Sequence, residues 1–79
     1  MTVARLFKVT IQFDYQKRDE VSTWHCGSLE GARNFCKEKI DKGGVIWYSI
    51  EGQDFIPCDK NDPNGLLYIG IIYNEFHEL

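Results

Sequence analysis

No stretch of this chain carries the roughly 20 consecutive apolar residues that a membrane-spanning helix needs. The longest apolar run, Leu66–Tyr73, has eight, so no membrane partner is expected. The start, Met1-Thr2-Val3-Ala4-Arg5, passes straight into polar alternation without the apolar core of a secretory signal. Cysteine is scarce: Cys26, Cys36 and Cys58 make three, an odd number without framework spacing. That pattern is not a disulfide scaffold and fits a cytoplasmic location. Close Cys-x-x-Cys pairs are missing as well, and His25 and Cys26, consecutive in a strand, point to opposite faces. No metal and no cofactor are therefore expected. The acidic stretch Asp59-Lys60-Asn61-Asp62 begins like a calcium loop but places Gly70 where the chelating glutamate belongs. An excess of positive charge is absent too. Nine Lys and Arg against twelve Asp and Glu leave a net charge of −3, without the basic face that phosphates require, so direct nucleic-acid binding is disfavoured.

What is present is the composition of one small folded domain spanning residues 1–79: 43% apolar, 27% charged and 14% aromatic. Phe7–Tyr15 alternates without interruption, with Phe7, Val9, Ile11, Phe13 and Tyr15 toward a core and Lys8, Thr10, Gln12 and Asp14 toward water. Gln16–Glu20 reads as a charged turn of about five residues, and Val21–Cys26 as a second strand returning beside the first. Ser28 is a good N-cap for a helix over Leu29–Lys42, in which Leu29, Ala32, Phe35, Cys36 and Ile40 form the apolar stripe. Glu30 suits the positive helix start and Lys42 the negative end, Glu38 and Lys42 form a favourable i,i+4 pair, and Gly43-Gly44 stops the helix.

Val45–Ile50 is a third strand, Glu51–Asp54 a turn, and Phe55–Pro57 a short piece at an edge. Asp59–Gly65 reads as loop, closing on Asp-Pro-Asn-Gly. Leu66–Tyr73, apolar on both faces, is expected to be a buried central strand, with Leu67, Ile69, Ile71 and Tyr73 on one face and Leu66, Tyr68, Gly70 and Ile72 on the other. Asn74–Leu79 then forms a tail. The expected fold is α+β: an antiparallel sheet of four to five strands with one helix packed on one face, in ββαββ order.

That fold has a functional consequence. One helix covers one sheet face, and leaving three large apolar side chains wet on the other forgoes about 1.5–3 kcal/mol each, a sum comparable with the stability of a small domain. A protein partner or a homodimer is expected against that face. The alternative cover is the tail with Phe76 and Leu79. The aromatic types that anchor interfaces are Trp24, Tyr48 and Tyr68, and the loop acids Asp14, Asp19, Glu20, Asp59 and Asp62 suit a basic groove on a partner. A small thiol-dependent enzyme using Cys26 or Cys58 with a histidine is the reading from a different class, although no glycine-rich oxyanion loop accompanies those residues.

The alternating hairpin, the spacing Ser28-Leu29-x-x-Ala32-x-x-Phe35 and the following Gly44-Val45-Ile46-Trp47-Tyr48 resemble small phage-encoded anti-CRISPR proteins of the type I-F group, over roughly residues 20–58. The resemblance implies a non-enzymatic inhibitor that occupies a surface of a CRISPR–Cas surveillance complex and blocks DNA recognition or nuclease recruitment. It transfers no site residue, because that group shares no binding motif.

Overall fold

The computed structural model describes residues 4–57 and 66–79. Asp59, Asp62, Cys58 and the loop Asp59–Gly65 lie outside the described residues. Four strands and one helix follow in the order β1 (Ala4–Phe13), β2 (Ser22–Cys26), α1 (Leu29–Lys42), β3 (Val45–Pro57) and β4 (Leu66–Glu78). All neighbours are antiparallel and the sheet order is β2-β1-β3-β4. This is the α+β arrangement expected from the sequence.

Unbroken alternation makes β1 the inner strand on which the core is built. Phe7, Val9 and Ile11 are buried beneath the helix, and Ile50 joins them from β3, directly opposite Val9. Ala32 and Cys36 close the core from α1, with Leu29 and Phe35 packed at its margin. The helix occupies its expected range. The Ser28 hydroxyl accepts from the Gly31 amide at 3.0 Å, and both Gly43 (φ 87°) and Gly44 (φ 88°) adopt backbone angles that cost a side chain strain. Glu38 and Lys42 approach to 3.7 Å, fully in the solvent.

Several expectations are corrected. Glu51–Asp54 is not a turn. It is the middle of β3, held because Gly52 sits between Phe7 on β1 and Tyr73 on β4, where a Cβ would come within 3.1 Å of each. Polar, turn-prone residues here serve strand pairing, and Asp54 faces Arg5 across the ladder. The apolar run is not a central strand either. It begins β4, the outermost strand, which continues through Asn74–Glu78 rather than ending in a tail.

Its alternation is broken as well. Tyr73 pairs with Gly52 but Ile71 with Gln53, and Gly70 pairs with Asp54 but Tyr68 with Phe55, so Ile72 and Ile69 are extra residues at two bulges. Tyr73 and Ile71 therefore lie on opposite faces. Finally, Tyr15 lies beyond β1 and is 76% exposed, while Gln12, expected in water, is buried. The hairpin loop runs from Asp14 to Val21, longer than the expected turn.

The dimensions determine what the helix can cover. Fourteen helical residues span about 21 Å, while the molecule is 44 Å long. Because α1 starts just after Cys26, which pairs with Phe7, everything before Phe7 on β1 and beyond Gly52 on β3 lies past its N-terminus. There the covered face is held instead by Arg5, which donates to the two oxygens of Asp54 at 2.8 and 3.2 Å.

Candidate functional site

Directly opposed residues share a sheet face, so the register defines the side away from the helix. It carries Leu6, Lys8, Thr10 and Gln12 from β1, Thr23 and His25 from β2, Trp47, Ser49, Glu51, Gln53 and Phe55 from β3, and Tyr68, Ile71, Asn74, Phe76 and Glu78 from β4. The middle is polar. Two apolar clusters flank it. At one end Phe55 and Tyr68 pack with ring centroids 5.6 Å apart beside Ile71, and at the other Trp47 and Phe76 pack at 5.5 Å. Tyr68 is 48%, Ile71 55% and Phe76 58% exposed. No described helix or strand lies over this face.

One loop closes the Trp47 end. The Gln12 amide donates to the backbone carbonyls of Lys17 (2.9 Å), Arg18 (2.8 Å) and Glu20 (3.3 Å), and its carbonyl oxygen accepts from the Trp47 indole at 2.9 Å. Gln16 accepts from the Phe13 amide and donates to Ser22. A buried amide whose two N–H groups are shared among three loop carbonyls pins the loop to the open face and brings the exposed acids Asp19 and Glu20 to its rim.

The sequence-selected residues do not form one surface. Tyr68, Asp19 and Glu20 belong to the open face and its rim. Asp14 is exposed at the turn after β1, its amide bonded to the Gly44 carbonyl. Trp24 and Tyr48 lie on the helix side. Trp24 packs on Phe35 with centroids 4.9 Å apart under the Lys39 ammonium, and Tyr48 stacks on His77 at 4.8 Å. Burial first, and then the neighbouring Cys36, raises the Tyr48 phenol.

A polar cluster that sequence reasoning missed ties β4 to the helix. Arg33 donates to the Tyr73 hydroxyl at 2.8 Å and to Glu75 at 3.0 Å, Tyr73 also bonds to Glu75, and His77 stands 3.5 Å from its other oxygen. Burial pushes the Glu75 carboxyl up. The hydrogen bonds from Arg33 and Tyr73, with the charges of Arg33 and His77, outweigh that and hold it below the usual carboxylate range. Only the β4 register juxtaposes these residues, so no spacing signal announces them.

Burial pushes the Cys36 thiol up to about 11, with smaller contributions from Cys26 and Glu75, which makes it a poor nucleophile. Among the described residues there is no group of three or more metal-ligating side chains and no enclosed pocket, and no helix is long and apolar enough to cross a membrane. Compared with protein-family profiles, curated proteins and solved structures, the chain matches none.

Proposed function

We propose that the protein acts by binding another protein, and that it does so through the open sheet face. The observation that carries this reading is the trio Tyr68, Ile71 and Phe76, each about half exposed on one face, with the exposed loop acids Asp19 and Glu20 at its Trp47 end. Apolar anchors with an acidic rim are the features that recognise a protein groove carrying positive charge. The polar centre of the face supplies hydrogen-bonding groups between the two anchor clusters. The middle of the opposite face is covered by its own helix, and beyond the helix it carries the Arg5–Asp54 ion pair.

The resemblance to anti-CRISPR proteins makes a subunit of a CRISPR–Cas surveillance complex the first partner, with inhibition by occupancy as the mechanism. Subunits that grip nucleic acid are basic, and a protein of net charge −3 with acids at its rim is steered toward them. The test is phage plaquing on a host carrying an active type I-F CRISPR–Cas system that targets the phage. Expression of the protein restores plaquing, whereas the Tyr68→Ala, Phe76→Ala double variant, at wild-type expression level, does not. Plaquing equal to the empty-vector control with the wild-type protein refutes the inhibitor reading.

A further inference from the structure

The two edges of the sheet are built differently. β2, at one edge, has five residues, and a strand that short offers little for another chain to pair with. β4, at the other, has thirteen and contains no lysine, arginine or proline, the residues that usually protect an edge. Its first half protects itself, because the bulges at Ile69 and Ile72 interrupt any regular ladder. Its second half, from Tyr73 to Leu79, has no bulge. There the Leu79 amide bonds inward to the Ile46 carbonyl, so by strand alternation the backbone groups of His77 and Glu75 point inward. Those of Asn74, Phe76 and Glu78 point outward, to the edge where no described strand pairs.

We infer that this edge pairs with a second copy of the chain, antiparallel, about a two-fold axis through Phe76. The register follows from hydrogen bonding and charge. With the axis at Phe76, Glu75 of one copy lies opposite His77 of the other, Asn74 lies opposite Glu78, and the two Phe76 rings meet on the open face. Moving the axis to Glu75 sets two glutamates against each other, and moving it to His77 pairs two histidines. Axes farther toward Ile72 run into the bulge. Only the Phe76 register makes all three outward residues, Asn74, Phe76 and Glu78, hydrogen-bonded partners, and it does so without setting two glutamates against each other. Phe76 is 58% and Leu79 62% exposed, so the contacting side chains are accessible. The result is a continuous eight-stranded sheet in which both open faces lie on the same side. The dimer and the proposed target surface share Phe76, but edge pairing leaves Tyr68 and Ile71 uncovered and His77→Glu touches none of the three anchors, so failure of one reading is distinguishable from failure of the other. Seven paired residues make an interface at the small end of the specific range, so the dimer dissociates in the micromolar range, on the order of tens of micromolar.

Sedimentation velocity across concentrations spanning that range tests it, with four variants, Glu78→Pro, His77→Glu, Phe76→Cys and His77→Cys. Glu78→Pro removes an outward amide that no neighbour within the copy uses, and His77→Glu places glutamates opposite each other. Phe76→Cys, under mild oxidation beside a wild-type control, reads the register. The expected result is a concentration-dependent monomer–dimer equilibrium, weakened at least tenfold by Glu78→Pro and by His77→Glu. Phe76→Cys dimers cross-link much faster than His77→Cys dimers. A monomer at every concentration, a dimer indifferent to both edge variants, or faster cross-linking through His77→Cys overturns the proposal. None of these results bears on plaquing by a monomer through Tyr68 and Phe76.

Discussion

Gln12 is the residue whose loss discriminates most sharply between this structure and a simple alternating hairpin. In the simple pattern it faces water, and Gln12→Leu changes stability by a few tenths of a kcal/mol. In the structure it is 7% exposed, donates to loop carbonyls and accepts from Trp47. Each of these bonds is worth about 1 kcal/mol net, and the leucine side chain leaves the Trp47 indole without its acceptor. The loop carbonyls recover water if the loop lifts, so the expected loss is about 2–3 kcal/mol rather than the full sum with desolvation. For a domain of this size that lowers Tm by about 10–20 °C. Urea unfolding followed by tryptophan fluorescence reads it as a fall in midpoint at nearly constant slope. Gln12→Glu sharpens the test: it keeps an acceptor for Trp47 but points a carboxylate at three carbonyls, so it is worse than Gln12→Leu at neutral pH. A loss below about 0.5 kcal/mol for the leucine variant, or a glutamate variant as stable as wild type, refutes the placement of the loop.

Gly52→Ala forces a methyl within 3.1 Å of the Phe7 ring and the Tyr73 Cβ, and the expected cost of about 1–2 kcal/mol by urea unfolding exceeds the entropy gained by removing a glycine. Cys36→Ser leaves the packing volume nearly unchanged but buries a hydroxyl among apolar side chains, for a loss of about 1–3 kcal/mol in the same assay. In the wild-type protein at about pH 8 the Cys36 thiol is almost wholly protonated as well as buried, so mass spectrometry finds it alkylated only at the rate of unfolding. Glu75 and Asp54 both titrate below their ordinary range, Asp54 through its bond from Arg5. A carboxyl lowered by folding contributes stability above its unfolded pKa and loses it as pH falls through the folded value. Stability therefore declines from about pH 5 toward pH 3, and the slope is shallower in Glu75→Gln and in Asp54→Asn. An unchanged slope in both variants contradicts the ion pairs.

Local chemistry made much of the fold legible. Ser28, the 3- and 4-residue spacing of Ala32 and Cys36, and Gly43-Gly44 bound the helix where it occurs, and the alternation of Phe7 to Phe13 marks the strand that carries the core. The β3–β4 region was not legible, for a physical reason. Glu51-Gly52-Gln53-Asp54 has the composition of a turn, and only the crowding of Gly52 between two strands and the pairing of Asp54 with Arg5 make it strand. The run Tyr68–Ile72 reads as a buried strand because hydrophobicity does not record bulges or the position of a strand in the sheet. The open face was expected with Tyr68 on it, but Tyr48 and Trp24, expected beside it, lie on the helix side. The parity of β4 depends on two register shifts, which put Ile71 on the open side and Tyr73 on the helix side, whereas in β3 plain alternation from the buried Ile50 puts Tyr48 under the helix and Trp47 on the open side. Gln12 was assigned to water because its partners are loop carbonyls, which no residue pattern displays.

The central claim is that the open face holds a protein partner, and direct binding tests it. Purified protein is mixed with purified type I-F surveillance complex and followed by size-exclusion chromatography with light scattering, alongside the Tyr68→Ala, Phe76→Ala variant and the His77→Glu variant. Stoichiometric co-elution is expected of the wild type and of His77→Glu, and free elution of the open-face variant with its fold intact by circular dichroism. Wild-type protein that elutes free of the complex, or an open-face variant that co-elutes as well as wild type, contradicts it.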